Sequence, residues 1–98
     1  MDVQIQTVKF DADKRLVEFV NAKVAKLDRF AEQTNGADVV LKLDKDPEKG
    51  NKIAAVTLHM RGGDLRAEER SRTFEEAIDG AIDSLKRQIE KQKDKSRR

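Results

Sequence analysis

Apolar and polar residues alternate from the start of the chain. Val3-Gln4-Ile5-Gln6-Thr7-Val8-Lys9-Phe10 opens at period two, the repeat that sends successive side chains to opposite faces of a strand, and predicts a first strand over 3–10. The period then changes. Between Lys14 and about Glu32 the residues Leu16, Val20, Val24, Leu27 and Ala31 recur at steps of three or four, and Phe19 and Phe30 widen that stripe into a helix face fit to cover a sheet. Asp11 or Asp13 supplies an N-cap carboxylate for the orphan N–H groups. Asn35-Gly36, at ease in the left-handed conformation, is the expected helix stop.

Period two returns over 37–44, where Val39, Leu41 and Leu43 oppose Val40, Lys42 and Asp44. Strand, helix and strand in succession favour parallel pairing through a right-handed crossover. Asp46-Pro47-Glu48-Lys49-Gly50-Asn51 is a polar turn, and a third strand follows over 52–60 with Val56, Leu58 and Met60 on one face and Thr57 and His59 on the other. Arg61-Gly62-Gly63-Asp64 signals a tight hairpin, since two glycines tolerate the positive φ of a primed turn, and leads into a fourth strand over 65–70. Thr73-Phe74-Glu75-Glu76 matches the capping box, with Thr73 as N-cap and Glu76 reaching back to its N–H. Phe74, Ile78, Ala81, Leu85, Ile89 and Gln92 then mark a second helix to about Lys93. The expected fold class is α+β: a β-α-β-β-β-α two-layer sandwich, a four-stranded sheet with both helices on one face. It forms a single domain over 1–93, with a short basic tail at 94–98.

Composition narrows the function. At 98 residues the chain suits one domain. It has no cysteine, so no disulfide, thiolate nucleophile or Cys-based metal site is available. Neither a signal peptide nor a membrane-spanning stretch is legible, so a cytoplasmic, non-membrane protein is expected. A single histidine, no Tyr, no Trp and no phosphate-cradling glycine motif argue against an enzyme, a cofactor or a metal. His59 reads as an exposed or hydrogen-bonded sheet residue, and Gly62-Gly63 as a turn.

Charge is informative once it is divided. The formal net charge is +2, but Lys86 to Arg98 holds seven bases and two acids, leaving the first 85 residues net acidic. Such asymmetry points to an anionic partner met by one end of the molecule. At about 100° per residue, Arg15, Ala22, Lys26 and Arg29 gather on one flank of the first helix's apolar side, with Lys23 at the boundary. On the last helix Lys86, Lys93 and Arg97 flank the apolar stripe, and Arg87 and Lys91 lie further out. Two adjacent helices would set these bases along a common ridge suited to phosphates. With four Phe as its only aromatics, the chain lacks platforms for unpaired bases, which favours the shape and backbone of folded RNA, with no DNA partner expected. The plainer alternative is a solvated helix pair whose cations complement its C-terminal dipoles.

The chain resembles the short form of the ribosome hibernation-promoting factor family, also called ribosome-associated inhibitors. The resemblance rests on Glu18-Phe19-Val20, Ala22-Lys23-Val24-Ala25-Lys26-Leu27, Val39-Val40-Leu41-Lys42 and Thr57-Leu58-His59 with Gly62-Gly63. It continues through Ala77-Ile78-Asp79-Gly80, Ile82-Asp83, Leu85, Arg87-Gln88, Lys91 and Lys93-Asp94-Lys95. It implies a fold like that of double-stranded-RNA-binding domains. It also implies binding to the small ribosomal subunit between head and body, near the decoding centre, where members block the tRNA and messenger sites in stationary phase or stress. The expected partner is that subunit, through its RNA and its proteins, and the protein is expected to be monomeric off the ribosome. The resemblance carries ribosomal-RNA contact onto Lys23, Lys26, Arg87, Lys91, Lys93 and Lys95; charge geometry adds Arg29, Lys86, Arg97 and Arg98. Two other classes stand beside this one: a protein–protein regulator of the sigma-factor-modulating type, and a general structured-RNA-binding domain.

Overall fold

The computed structural model of the chain describes residues 2–29, 34–45 and 50–96, with side chains as far as residue 92. Strand β1 (Asp2–Val8) leads to helix α1 (Lys14–Ala25) and a single 3-10 turn (Lys26–Arg29). Strands β2 (Thr34–Leu43), β3 (Lys52–Met60) and β4 (Leu65–Ser71) follow, then helix α2 (Phe74–Ser96). The sheet order is β1-β2-β3-β4, with β1 parallel to β2 and the other pairs antiparallel. Strands β1 and β4 therefore point the same way. Each helix runs back along the strand it follows, so α1 and α2 lie side by side in parallel on one face.

That face carries the core. Ala37, Val39, Leu41, Ala54, Val56, Leu58 and Ala67 alternate inward beneath Leu16, Val20, Val24 and Leu27 and beneath Ala77, Ile78, Ala81, Ile82, Leu85 and Ile89. The predicted α+β sandwich is what the chain forms, because period two in the strands and period 3.6 in the helices turn one apolar set each toward a shared interior.

The boundaries depart from the sequence reading in instructive places. Strand β1 stops at Val8, not Phe10, because Lys9 takes a left-handed φ of 69° that ends extended pairing. Phe10 is thereby free to stack on Phe74, with ring centroids 4.4 Å apart and planes 12° off parallel. Of the two candidate caps Asp13 is the one used, its carboxylate accepting from the Leu16 N–H at 2.8 Å.

Asn35-Gly36 is not a helix stop but part of β2. Gly36 pairs with Asp2 of β1, and a Cβ there would lie 2.8 Å from the Asp2 carbonyl oxygen. The glycine serves close approach of two strands, beside a register shift between Thr34 and Gly36. The first helix is also shorter than the expected span to about Glu32: it ends at Ala25, where the chain tightens into the 3-10 turn Lys26–Arg29. Residues 30–33 and 46–49 of the polar turn lie outside the described residues.

The hairpin after β3 also differs from a primed turn. The Gly63 N–H donates to the Met60 carbonyl at 3.2 Å, which makes Arg61-Gly62 the two-residue loop. Positive φ falls at Gly62 (98°) and Gly63 (142°) but not at Arg61, whereas a primed turn needs it at the first central residue. Thr73 caps α2 as expected, its Oγ1 accepting from the Glu76 N–H at 3.1 Å. The reciprocal half of the capping box is replaced: the Glu76 carboxylate accepts from the Ser71 hydroxyl at 2.7 Å.

Candidate nucleic-acid interface

Helix α2 changes character along its length. Its first four turns are pinned: Phe74, Ala77, Ile78, Ala81, Ile82 and Leu85 are all buried. The last tie to the sheet is Gln88, whose Nε2 donates to the Arg66 carbonyl of β4 at 3.1 Å. Ile89 still seals the core, but Glu90, Lys91 and Gln92 are all exposed. Three consecutive exposed positions cover more than half of a helix's circumference, so over 90–92 α2 stands clear of the body of the protein. Lys93 and Lys95 lie within the helix bounds but beyond the described side chains, and Arg97 and Arg98 lie outside the described residues.

Lys23 is held where the two helices meet. Its ammonium lies 3.1 Å from an Asp79 carboxylate oxygen on α2 and 5.5 Å from the centroid of the Phe19 ring one turn back, which leaves the side chain 32% exposed. The neighbouring Lys26 and Arg29 are exposed in the 3-10 turn, where the chain narrows as α1 ends. With the helices parallel and Lys23 level with Asp79, Lys26 and Arg29 continue toward the level of Lys86, which is half-buried on the same flank of α2.

The single ridge expected from helix phase is thus divided. Lys23, Lys26, Arg29 and Lys86 follow the seam between the helices. Arg87 and Lys91 lie on the other flank, the one that Gln88 turns toward β4. Exposed Asp83 and Glu90 occupy the crest between the two rows. No ion pair among the described residues engages Lys26, Arg29, Arg87 or Lys91. Exposed, uncompensated cations at a helix end are what phosphate contact requires.

Sequence reasoning had no means of seeing Asp79 as the counter-ion of Lys23, nor the ties on the opposite sheet face. There Arg70 donates to Asp44 at 2.7 Å and to the Gly50 carbonyl at 3.0 Å. Arg70, with help from the Lys45 N–H, holds the Asp44 carboxyl below the usual carboxylate range. His59 lies 2.7 Å from Asp38 and 3.0 Å from Asp64, which together raise its proton affinity. The two carboxylates sit on opposite ring nitrogens and cannot converge on one ion. No group of three or more His, Cys, Asp or Glu among the described residues is placed to hold a metal, and none of the described helices is long and apolar enough to cross a membrane.

A family model described as Sigma 54 modulation protein / S30EA ribosomal protein matches residues 3–97. The chain belongs to that family. Within it, the ribosome hibernation promoting factor of Salmonella typhimurium (strain LT2) is 39% identical over 95 residues, covering 97% of this chain and 96% of that protein. The factor of Escherichia coli K12 matches to the same extent. The ribosome hibernation promotion factor of Bacillus subtilis is 33% identical across all of this chain, which spans 51% of that longer protein. The crystal structure of the Thermus thermophilus Protein Y N-terminal domain superposes with a TM-score of 0.78 at 28% identity, covering 93% of this chain and 98% of that one. A ribosomal subunit interface protein from Coxiella burnetii shares the fold, with a TM-score of 0.82 at 18% identity and 95% of this chain covered. The family resemblance seen in the sequence is therefore confirmed over essentially the whole chain.

Proposed function

We propose that the protein binds the small ribosomal subunit near the decoding centre, occludes the tRNA and messenger sites, and so holds idle ribosomes in hibernation during stationary phase or stress. The observation that carries this reading is the match to named ribosome hibernation promoting factors along 96% of their length. The action is occlusion without bond chemistry, exerted in the cytoplasm by a protein that is monomeric off the ribosome. Residues 1–93 act as the binding domain and 94–98 extend its basic end.

The geometry supports a division of labour among the bases. Arg87 and Lys91 stand exposed on either side of the last tie of α2 to the sheet, and Lys93, Lys95 and Arg97 follow them in the chain as further candidates for contact with a groove in folded RNA. Lys26, Arg29 and Lys86 line the seam beside it, and Lys23 is presented from its strap on Phe19 and Asp79. Arginine forks grip phosphate oxygens in pairs, whereas lysines act as point charges.

Co-sedimentation with purified small subunits, large subunits and unrelated structured RNA across a salt series tests the reading. Selective retention by small subunits, with log affinity falling steeply against log salt, is the expected result. Equal retention by unrelated RNA would leave only a general RNA-binding domain. Binding indifferent to salt would point instead to the protein–protein regulation that the sigma-54 part of the family description suggests.

A further inference from the structure

His59 makes two contacts that only one of its charge states can satisfy. It lies near the end of β3 on the helix-free face of the sheet. Its Nε2 is 2.7 Å from Asp38 Oδ2 on β2, and its Nδ1 is 3.0 Å from Asp64 Oδ2 across the β3–β4 hairpin. Both aspartates are about half exposed, at 53% and 54%, and an ionised carboxylate only accepts hydrogen bonds. Neutral imidazole has one N–H and one lone pair, so it can donate to one aspartate while its lone pair confronts the other. Both contacts together require the imidazolium, with each ring nitrogen donating.

The surroundings favour that cation. From β1, Asp2 borders the same shallow depression as His59 and Asp38. From β2 comes Asp38. The hairpin brings Arg61 and Asp64, and β4 brings Arg66, whose guanidinium is engaged by Glu68 at 3.2 Å. Both helices pack on the other face of the sheet and contribute nothing here.

We propose that Asp38, His59 and Asp64 form a proton-operated clasp: the imidazolium pins the hairpin at 61–64 to β2, and loss of its proton frees Asp64 and loosens the hairpin. Asp64 is the partner released because its contact is the longer and it sits at the end of a turn, whereas Asp38 is fixed inside a paired strand. His59 holds its proton above the ordinary histidine value of about 6.5. The clasp is therefore fully closed below that value and opens as pH rises through the higher folded one. The hairpin lies at the end of the sheet where Gln88 ties α2 to Arg66, so the clasp governs order beside the candidate interface. That last consequence rests on the proposed function; the clasp itself does not.

Nuclear magnetic resonance of the free, full-length protein tests it, following the His59 ring nitrogens and the Gly62 and Gly63 amides between about pH 5 and 9. The expected result is a His59 midpoint above 6.5 with both ring nitrogens protonated below it. Both glycine amides should share that midpoint, and hairpin protection against hydrogen exchange, corrected for intrinsic rates, should fall several-fold through it. In Asp64→Asn the midpoint should drop and the glycine amides should cease to follow it. In His59→Gln hairpin protection should become independent of pH. A wild-type midpoint at or below 6.5, or glycine amides flat through the His59 titration, would overturn the proposal.

Discussion

On the helix-covered face of the sheet Val39, Leu41, Val56 and Leu58 are fully buried, while the same strands present Asp38, Lys42, Thr57 and His59 on the other face. The covered face is held by apolar burial, which responds little to pH or salt near room temperature. The open face is tied at its two ends by charge. Arg70 gathers Asp44 and Gly50 where β2 ends and β3 begins, and His59 gathers Asp38 and Asp64 at the opposite end. One tie uses a guanidinium that never titrates in the working range, and the other uses an imidazole that does. The contrast shows where this small domain keeps its stability and where it keeps its adjustable parts.

The largest effect should come from the covered face. Leu85 is fully buried mid-way along α2, so Leu85→Ala should cost about 2–5 kcal/mol through lost transfer energy and a residual cavity. Denaturant unfolding measures this, and a midpoint equal to wild type would erase the distinction between the faces. Next comes backbone strain at the edge of the open face. Gly50 has φ of 81°, and a Cβ there would stand 2.9 Å from the Ser71 carbonyl group. Gly50→Ala should therefore cost roughly 1–3 kcal/mol, read from the same unfolding curves.

The two charge ties should then show opposite pH profiles. Asp44 has a depressed folded pKa, so its contribution is present above the ordinary carboxylate value of 3.8 and is lost as pH falls through the folded one. The small gap in melting temperature between wild type and Arg70→Gln should narrow in acid as Asp44 is protonated. His59 has a raised folded pKa, so the gap between wild type and His59→Gln should be present below 6.5 and narrow as pH rises. Parallel profiles for the two variants would show that the ties do not differ in the way their chemistry requires.

The smallest effect on stability should come from the candidate interface. Converting Lys26, Arg87 and Lys91 to Gln together should shift unfolding by no more than about 0.5 kcal/mol each, because all three are exposed and none is ion-paired among the described residues. Affinity for small subunits should nevertheless fall, and each lost phosphate contact should make the slope of log affinity against log salt shallower by roughly 0.7–0.9. Lys23→Gln belongs to a different class, since it also breaks the strap to Asp79. A folded triple variant with wild-type affinity and slope would move the binding surface away from α2.

Much of this was legible in the chain itself. The order of elements, the inward strand positions, most of both helix stripes and the Thr73 cap follow from patterns that repeat within a few residues, because pleat and helical turn are local geometry. Gln92, expected at the end of the second stripe, is instead exposed, because the core stops at Ile89. The basic end of α2 was legible for the same reason. What the tertiary structure alone decided are meetings between residues far apart in the chain. Asn35-Gly36 carries the signal of a helix stop, but the approach of Asp2 from β1 makes it a strand crossing. Lys23 finds Asp79 because a crossover lays α1 parallel to α2, and that contact, with Gln88 on β4, divides the expected ridge of bases in two. His59 meets two carboxylates because sheet register sets Asp38 and Asp64 on either side of its ring. Local periodicity encodes which way a side chain points, but register and helix direction are properties of the packed whole, and they choose what it points at.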